Sequence, residues 1–125
     1  MIDFQEVIEI HQVLVNEFGG LSGIRDENAL KSALTRPFSG FGTTEFYPTI
    51  EEKVSAVIES IVKNHPFVDG NKRTGYVIMR LLLMQFGKDL QATQDEKYNF
   101  VIAIASGKLA FQEIVVWVKE HVVVK

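Results

Sequence analysis

The chain has 125 residues, no cysteine, and 16 acidic against 13 basic side chains, a formal charge of −3. Without cysteine there is no disulfide scaffold, no thiol nucleophile and no thiolate metal site. With 46% hydrophobic residues, a chain of this length is expected to bury a sizeable core as one domain, 1–125, and its mildly acidic total argues against direct nucleic-acid binding.

The first residues, Met1-Ile2-Asp3-Phe4-Gln5-Glu6, lack the basic start and apolar run of a signal peptide. The longest apolar stretch is cut by Arg80, short of the ~18 apolar residues that suggest a membrane span. A cytoplasmic protein with no membrane partner is the expectation. The charge is unevenly spread. Residues 1–60 hold 4 basic and 10 acidic side chains, and residues 61–125 hold 9 and 6. Lys63, Lys72, Arg73 and Arg80 face only Asp69 within one stretch, a positive focus able to attract a small anion.

Periodicity predicts helices almost throughout. Phe4, Val7, Ile8, His11, Leu14, Val15 and Phe18 recur at steps of three and four, the mark of an amphipathic helix that Gly19-Gly20 ends. His11 lies on that apolar stripe and reads as a hydrogen-bonded core histidine. A turn over 21–26 leads to a short helix from about Asp26 to Thr35, stopped by Pro37. Residues 37–48 (PFSGFGTTEFYP) are rich in Gly, Pro and aromatics, which suits a loop or small hairpin. Thr49-Ile50-Glu51-Glu52 reads as a capping box. The helix it opens is expected to end near Asn64, because Pro66 disfavours helical geometry at His65.

A loop over 65–70 precedes a nearly all-apolar, central helix from Asn71 to Phe86. Residues 88–92 read as a connection. Thr93-Gln94-Asp95-Glu96 is a second capping box for a helix reaching Ser106, and a last helix spans about Ala110 to Val122. Arg80 is expected in a structural ion pair, Trp117 in packing and His121 at the surface. The fold class is therefore all-α: a compact domain of about six helices with a short hairpin insertion.

The informative segment runs from His65 to Arg73, His-Pro-Phe-Val-Asp-Gly-Asn-Lys-Arg. A helix N-terminus has free backbone N–H groups and the positive end of a dipole. Gly70 leaves room for a ligand there, and Lys72 and Arg73 add full charges. Cations at that end cost a few tenths of a kcal/mol unless an anion offsets them, so the pattern suits a phosphate site. Asp69 beside phosphates implies a bridging divalent cation, magnesium by preference. Histidine is the side-chain type suited to proton removal near neutral pH, which makes His65 the candidate base. Phosphoryl or nucleotidyl transfer onto a hydroxyl is the inferred chemistry.

This stretch resembles the Fic/Doc signature H-P-F-x-D/E-G-N-x-R at every defining position. Gly19-Gly20, Gly23-Ile24-Arg25-Asp26, Ser32-Ala33-Leu34 and Arg36-Pro37 resemble the N-terminal half of its death-on-curing branch. The resemblance implies His65 as general base, Asp69 as magnesium ligand, Gly70, Asn71 and Lys72 as an anion hole, and Arg73 on a phosphate of ATP. It implies that 37–48 is a flap that adds to a target segment as a strand, with Phe46 and Tyr47 touching the target protein, whose Thr, Ser or Tyr supplies the hydroxyl.

The AMP-transferring branch carries Gly at the place of Lys72 and a second Arg at the place of Tyr76. Asn-Lys-Arg-Thr instead resembles the branch that transfers the γ-phosphate, although Val77 replaces an Asn and Gly75 an Ala there. AMP transfer is the alternative, and a catalytically degenerate nucleotide- or partner-binding module is the alternative from another class. Ser55-x-x-x-Glu59-Ser60 is the nearest match to a self-inhibitory helix. It lacks the final Gly or Asn, so control by a small antitoxin in trans is the expectation.

Overall fold

The structure, a computed structural model, describes residues 2–125. Among them are six α-helices: α1 Phe4–Phe18, α2 Glu27–Thr35, α3 Ile50–Asn64, α4 Asn71–Met84, α5 Gln94–Ala105 and α6 Phe111–His121. The all-α expectation holds. Both predicted capping boxes form. Thr49 Oγ1 accepts the Glu52 N–H at 3.1 Å while the Glu52 carboxylate accepts from Thr49, and Thr93 and Glu96 repeat the exchange. Asp3 and Asp26 cap α1 and α2. Each such cap answers an N–H group that the first turn leaves free.

The centre is α3 against α4. Val54, Val57, Ile58, Ile61 and Val62 of α3 are buried with Ile78, Met79, Leu82 and Leu83 of α4. Around them close Val7 of α1, Leu30 and Leu34 of α2, Phe100 and Ile104 of α5, and Ile114 and Val118 of α6. Gly75 sets the closeness of the central pair. A Cβ there would stand 3.2 Å from Val62 Cγ2 and 3.5 Å from Ile58 and Ile61. A methyl group is crowded at that crossing, which accounts for glycine at this position.

Two pairs of short strands fall outside the helical reading. Strands β1 Gly40–Phe41 and β2 Thr44–Glu45 form the small hairpin expected within 37–48, after a 3-10 turn over Arg36–Phe38. The hairpin's base is firmly anchored. Arg36 donates to the Tyr47 hydroxyl at 2.9 Å and to Ser60 at 2.9 Å, and pairs with Glu59 at 3.0 Å. The buried Lys53 ammonium donates to Glu45 and to the Tyr47 carbonyl. The segment read as a mere connection, 88–92, contains β3 Lys88–Leu90. It pairs antiparallel with β4 Val122–Val124, with Asp89 opposite Val123. Three-residue strands carry too few residues for a period-two pattern, and this partner lies over thirty positions away.

Arg80 makes the expected ion pair. Its guanidinium donates two parallel bonds, 2.9 and 2.8 Å, to the carboxylate of the buried Asp89. His121 departs from its expected surface place. It is half-buried, stacks on Trp117 at 3.9 Å between centroids, and its Nδ1 lies 2.7 Å from the Trp117 carbonyl oxygen. Trp117 in turn stacks on Phe100 at 3.7 Å, so the ladder of rings covers the end of α6.

The Arg80 hydrogen bonds pull the Asp89 carboxyl down to about 2. Its folded value is below the unfolded one, so the stability it contributes is present above about pH 4 and is lost as pH falls towards 2. Asp89→Asn is expected to cost about 2 kcal/mol at pH 7 and almost nothing at pH 2. Urea unfolding at the two pH values checks this, and equal costs at both would refute it.

Candidate active site

The chain must reverse between α3 and α4 within residues 65–70. His65 makes the first bend by taking the left-handed conformation, φ 48° and ψ 60°. It is the one non-glycine residue with positive φ among the described residues. Such a residue stores of order 1 kcal/mol or more of strain and persists where neighbours hold it. Here the neighbours are residues 23–26. Arg25 donates to the carbonyls of Asn64 at 2.5 Å and His65 at 2.6 Å, answering the free C=O groups at the end of α3. The Pro66 carbonyl accepts the N–H groups of Arg25 and Asp26, and Val68 N–H donates to the Gly23 carbonyl. Ile24 and Phe67 form an isolated antiparallel bridge. The loop is thus laced to a short extended segment, and the His65 side chain remains exposed.

The second bend is built from inside. Phe67 is 1% exposed, and the buried Asn71 side chain accepts the Phe67 N–H and donates to the Phe67 carbonyl, both at 3.0 Å. Asn71 was expected in an anion hole. Its side chain is spent on holding the loop, which leaves its backbone N–H for any anion. Gly70 is the N-cap of α4 in the left-handed region, φ 75°.

Asp69 is exposed, and both carboxylate oxygens are oriented. Oδ1 accepts the Gly70 N–H at 2.9 Å, and Oδ2 accepts the Leu21 N–H at 3.1 Å. These bonds, Leu21's first, hold its carboxyl below the usual range, with Lys72 and Arg73 assisting through space. Gly20 beside it has φ 112°, a conformation that favours glycine, and a Cβ there would lie 2.8 Å from Asp69 Oδ2, so the carboxylate would have to shift. Lys72 is exposed on the first turn of α4. The exposed Arg73 has its guanidinium over the Phe18 ring, 4.6 Å from the centroid. The loop therefore gathers His65, Asp69, Gly70, the Asn71 backbone, Lys72 and Arg73 at one reversal.

The flap pair is divided. Phe46 is 58% exposed, whereas Tyr47 is half-buried, with its hydroxyl taken by Arg36 and its ring packed edge-on against Phe111. At the hairpin's tip Phe41 is 83% exposed, a surface aromatic that composition alone did not separate from its neighbours. Tyr76 is buried, and burial pushes its hydroxyl up to about 12. Glu59 is engaged by Arg36 and Lys63.

A divalent cation fits Asp69 in one way only. No group of three or more His, Cys, Asp or Glu side chains suited to a metal exists among the described residues, so these residues form no cage of protein ligands alone. Each Asp69 oxygen accepts one N–H and keeps a further lone pair. A single carboxylate with the remaining ligands from phosphates and water is the usual arrangement for magnesium. Among the described residues no helix is long and apolar enough to cross a membrane.

A model of the Fic/DOC family matches residues 1–83 of the chain. A protein named Toxin Doc, from Mycolicibacterium smegmatis (strain ATCC 700084 / mc(2)155), is 36% identical over 78 residues. The alignment covers 62% of this chain and 60% of that protein, so the chain spans about three-fifths of the relative's length.

Asn71→Ala tests the clamp. It strands the N–H and C=O of a residue that is 1% exposed, an expected loss of about 2–4 kcal/mol by urea unfolding. Unchanged stability would show that the side chain is not what holds the loop.

Proposed function

The chain belongs to the Fic/DOC family, and from that premise we propose that it is a Doc-like toxin that transfers the γ-phosphate of ATP to a hydroxyl of a target protein. The observation that supports this most is the composition of the 65–73 reversal. An exposed His65 lies at one end, an oriented Asp69 follows, and α4 begins with Lys72 and Arg73 on its first turn. His65 takes the proton of a Ser, Thr or Tyr hydroxyl, and that oxygen attacks the γ-phosphorus. The bond from phosphorus to the β–γ bridging oxygen breaks, ADP leaves, and His65 passes its proton to water.

Gly70, the Asn71 backbone and Lys72 receive phosphate oxygens, with Arg73 clamping one more. Asp69 would hold a magnesium ion, which would supply charge to neutralise the phosphates. Phe46, with the flap backbone, meets the target.

Phosphate transfer is favoured over AMP transfer by Tyr76. The position three residues after Arg73 shares its helix face, and a second arginine there would clamp a triphosphate. Tyr76 is buried and neutral, so it offers no charge to an anion. Glu59 is paired within its own surroundings, which supports control from outside the chain. The proposed partner is a small antitoxin bound in trans, and the proposed target is a translation factor in the cytoplasm.

Lysate incubated with magnesium and either γ- or α-labelled ATP tests the reaction. Protein label from the γ position alone is expected, and His65→Ala is expected to abolish it and to relieve growth arrest on overexpression. Label from the α position would instead establish AMP transfer. With no label from either, and equal growth of His65→Ala and the original protein, the chain would be a binding module without catalysis. Titration with the product of the neighbouring gene is expected to give a stable complex that suppresses labelling.

A further inference from the structure

We propose that His11 is a positioning residue that fixes the Asp69–Gly70 peptide, and through it the Asp69 carboxylate. The proposal rests on the reading of Asp69 as the cation ligand. His11 lies in the middle of α1, 58 positions before Asp69, and is 3% exposed. Its Nε2 stands 2.8 Å from the Asp69 carbonyl oxygen. A carbonyl only accepts, so Nε2 carries a hydrogen and donates it. The ring lies flat on Phe67, with centroids 3.8 Å apart and planes 5° from parallel. That stack fixes the ring, and the ring fixes the direction of the N–H.

The consequence passes through a rigid unit. A peptide group is planar, so holding the Asp69 C=O also holds the Gly70 N–H on its opposite side. That N–H donates to Asp69 Oδ1 at 2.9 Å. The Gly70 carbonyl then accepts the Thr74 N–H at 3.0 Å, the first turn of α4. A buried donor on α1 thereby sets both the carboxylate and the start of the helix that faces the phosphates. A histidine serving packing alone has no need of this bond, because an apolar side chain could fill the same place without a buried polar group to satisfy.

Two substitutions separate the roles. His11→Phe keeps a ring on Phe67 and removes the donor, while His11→Gln keeps an amide donor and removes the ring. Magnesium with the non-hydrolysable analogue AMP-PNP is titrated calorimetrically into each full chain, and amide exchange at Gly70 is followed by NMR without nucleotide. His11→Phe is expected to weaken Mg·AMP-PNP binding roughly 10- to 100-fold, the usual effect of losing an outer partner of a metal ligand. Its Gly70 amide is expected to exchange faster, the rest of α1 and α4 exchanging as before. His11→Gln is expected to fall nearer the unsubstituted chain in both.

Unchanged exchange at Gly70 in His11→Phe would overturn the proposal. So would equal losses in both variants, or faster exchange spread evenly through α1 and α4, since each assigns His11 to packing. If the unsubstituted chain binds no Mg·AMP-PNP, the proposed function fails instead, and the exchange at Gly70 alone decides the role of His11.

Discussion

Two helices packed side by side must reverse within six residues, and the free backbone groups of both ends must be answered in that space. This constraint organises the molecule. α3 ends with carbonyls and α4 begins with N–H groups that lack helical partners, and the residues between them are held both by a segment far away in sequence and by Asn71 close by. Arg25 answers the carbonyls. Asn71 folds back on Phe67. Residues 23–26 lend backbone bonds to Pro66 and Val68. The N–H groups of the first turn of α4 are those that the proposed anion would use. A helix end buried by its own fold would have no vacancy for a ligand, and one left loose would have no geometry.

The electrostatics follow from the same arrangement. Lys72 and Arg73 stand where the dipole of α4 is positive, an arrangement that costs a few tenths of a kcal/mol per charge. Two contacts moderate it. The Arg73 guanidinium lies over Phe18, a cation–π contact of about 0.5–1 kcal/mol at an exposed site. Asp69 sits on the same turn with its oxygens directed by Leu21 and Gly70. The reversal thus brings charges of both signs together, the two cations helping through space to keep the Asp69 carboxyl below its usual range. The formal −3 of the whole chain conceals this, because the acidic residues gather before position 60 and the basic focus after it.

The sequence made the helices legible because α3 and α5 open on capping boxes and apolar residues recur at helical steps along most of the others. The reversal was legible as well, since His65-Pro66-Phe67-Val68-Asp69-Gly70-Asn71-Lys72-Arg73 combines residue types that are costly together without a ligand. Other features were illegible for physical reasons. Strands β3 and β4 are three residues each and meet across the length of two helices. Arg25 looks like any surface cation until its carbonyl partners are known. The side chain of Asn71 could face an anion or the loop, and only the burial of Phe67 decides between them. His11 was readable as a buried, hydrogen-bonded histidine, but its acceptor is one carbonyl out of all those in the chain.

The flap shows how a surface element can be exposed and still be placed. Arg36 gathers Tyr47, Ser60 and Glu59, and its guanidinium also lies over the Phe111 ring at 5.4 Å. The base of the hairpin is therefore fixed to α3 and α6 by the same residue that occupies Glu59. Phe41 and Phe46 stay outside. A target segment meeting this hairpin would find an edge whose direction relative to α3 is already set, and His65 caps the C-terminal end of α3. Hence a substitution at Arg36 acts on two things at once. It loosens the platform on which the target would lie, and it releases the one acidic residue of α3 that the sequence offers as an inhibitor. The commitment of Glu59 to Arg36 and Lys63 accords with the proposed control by another chain.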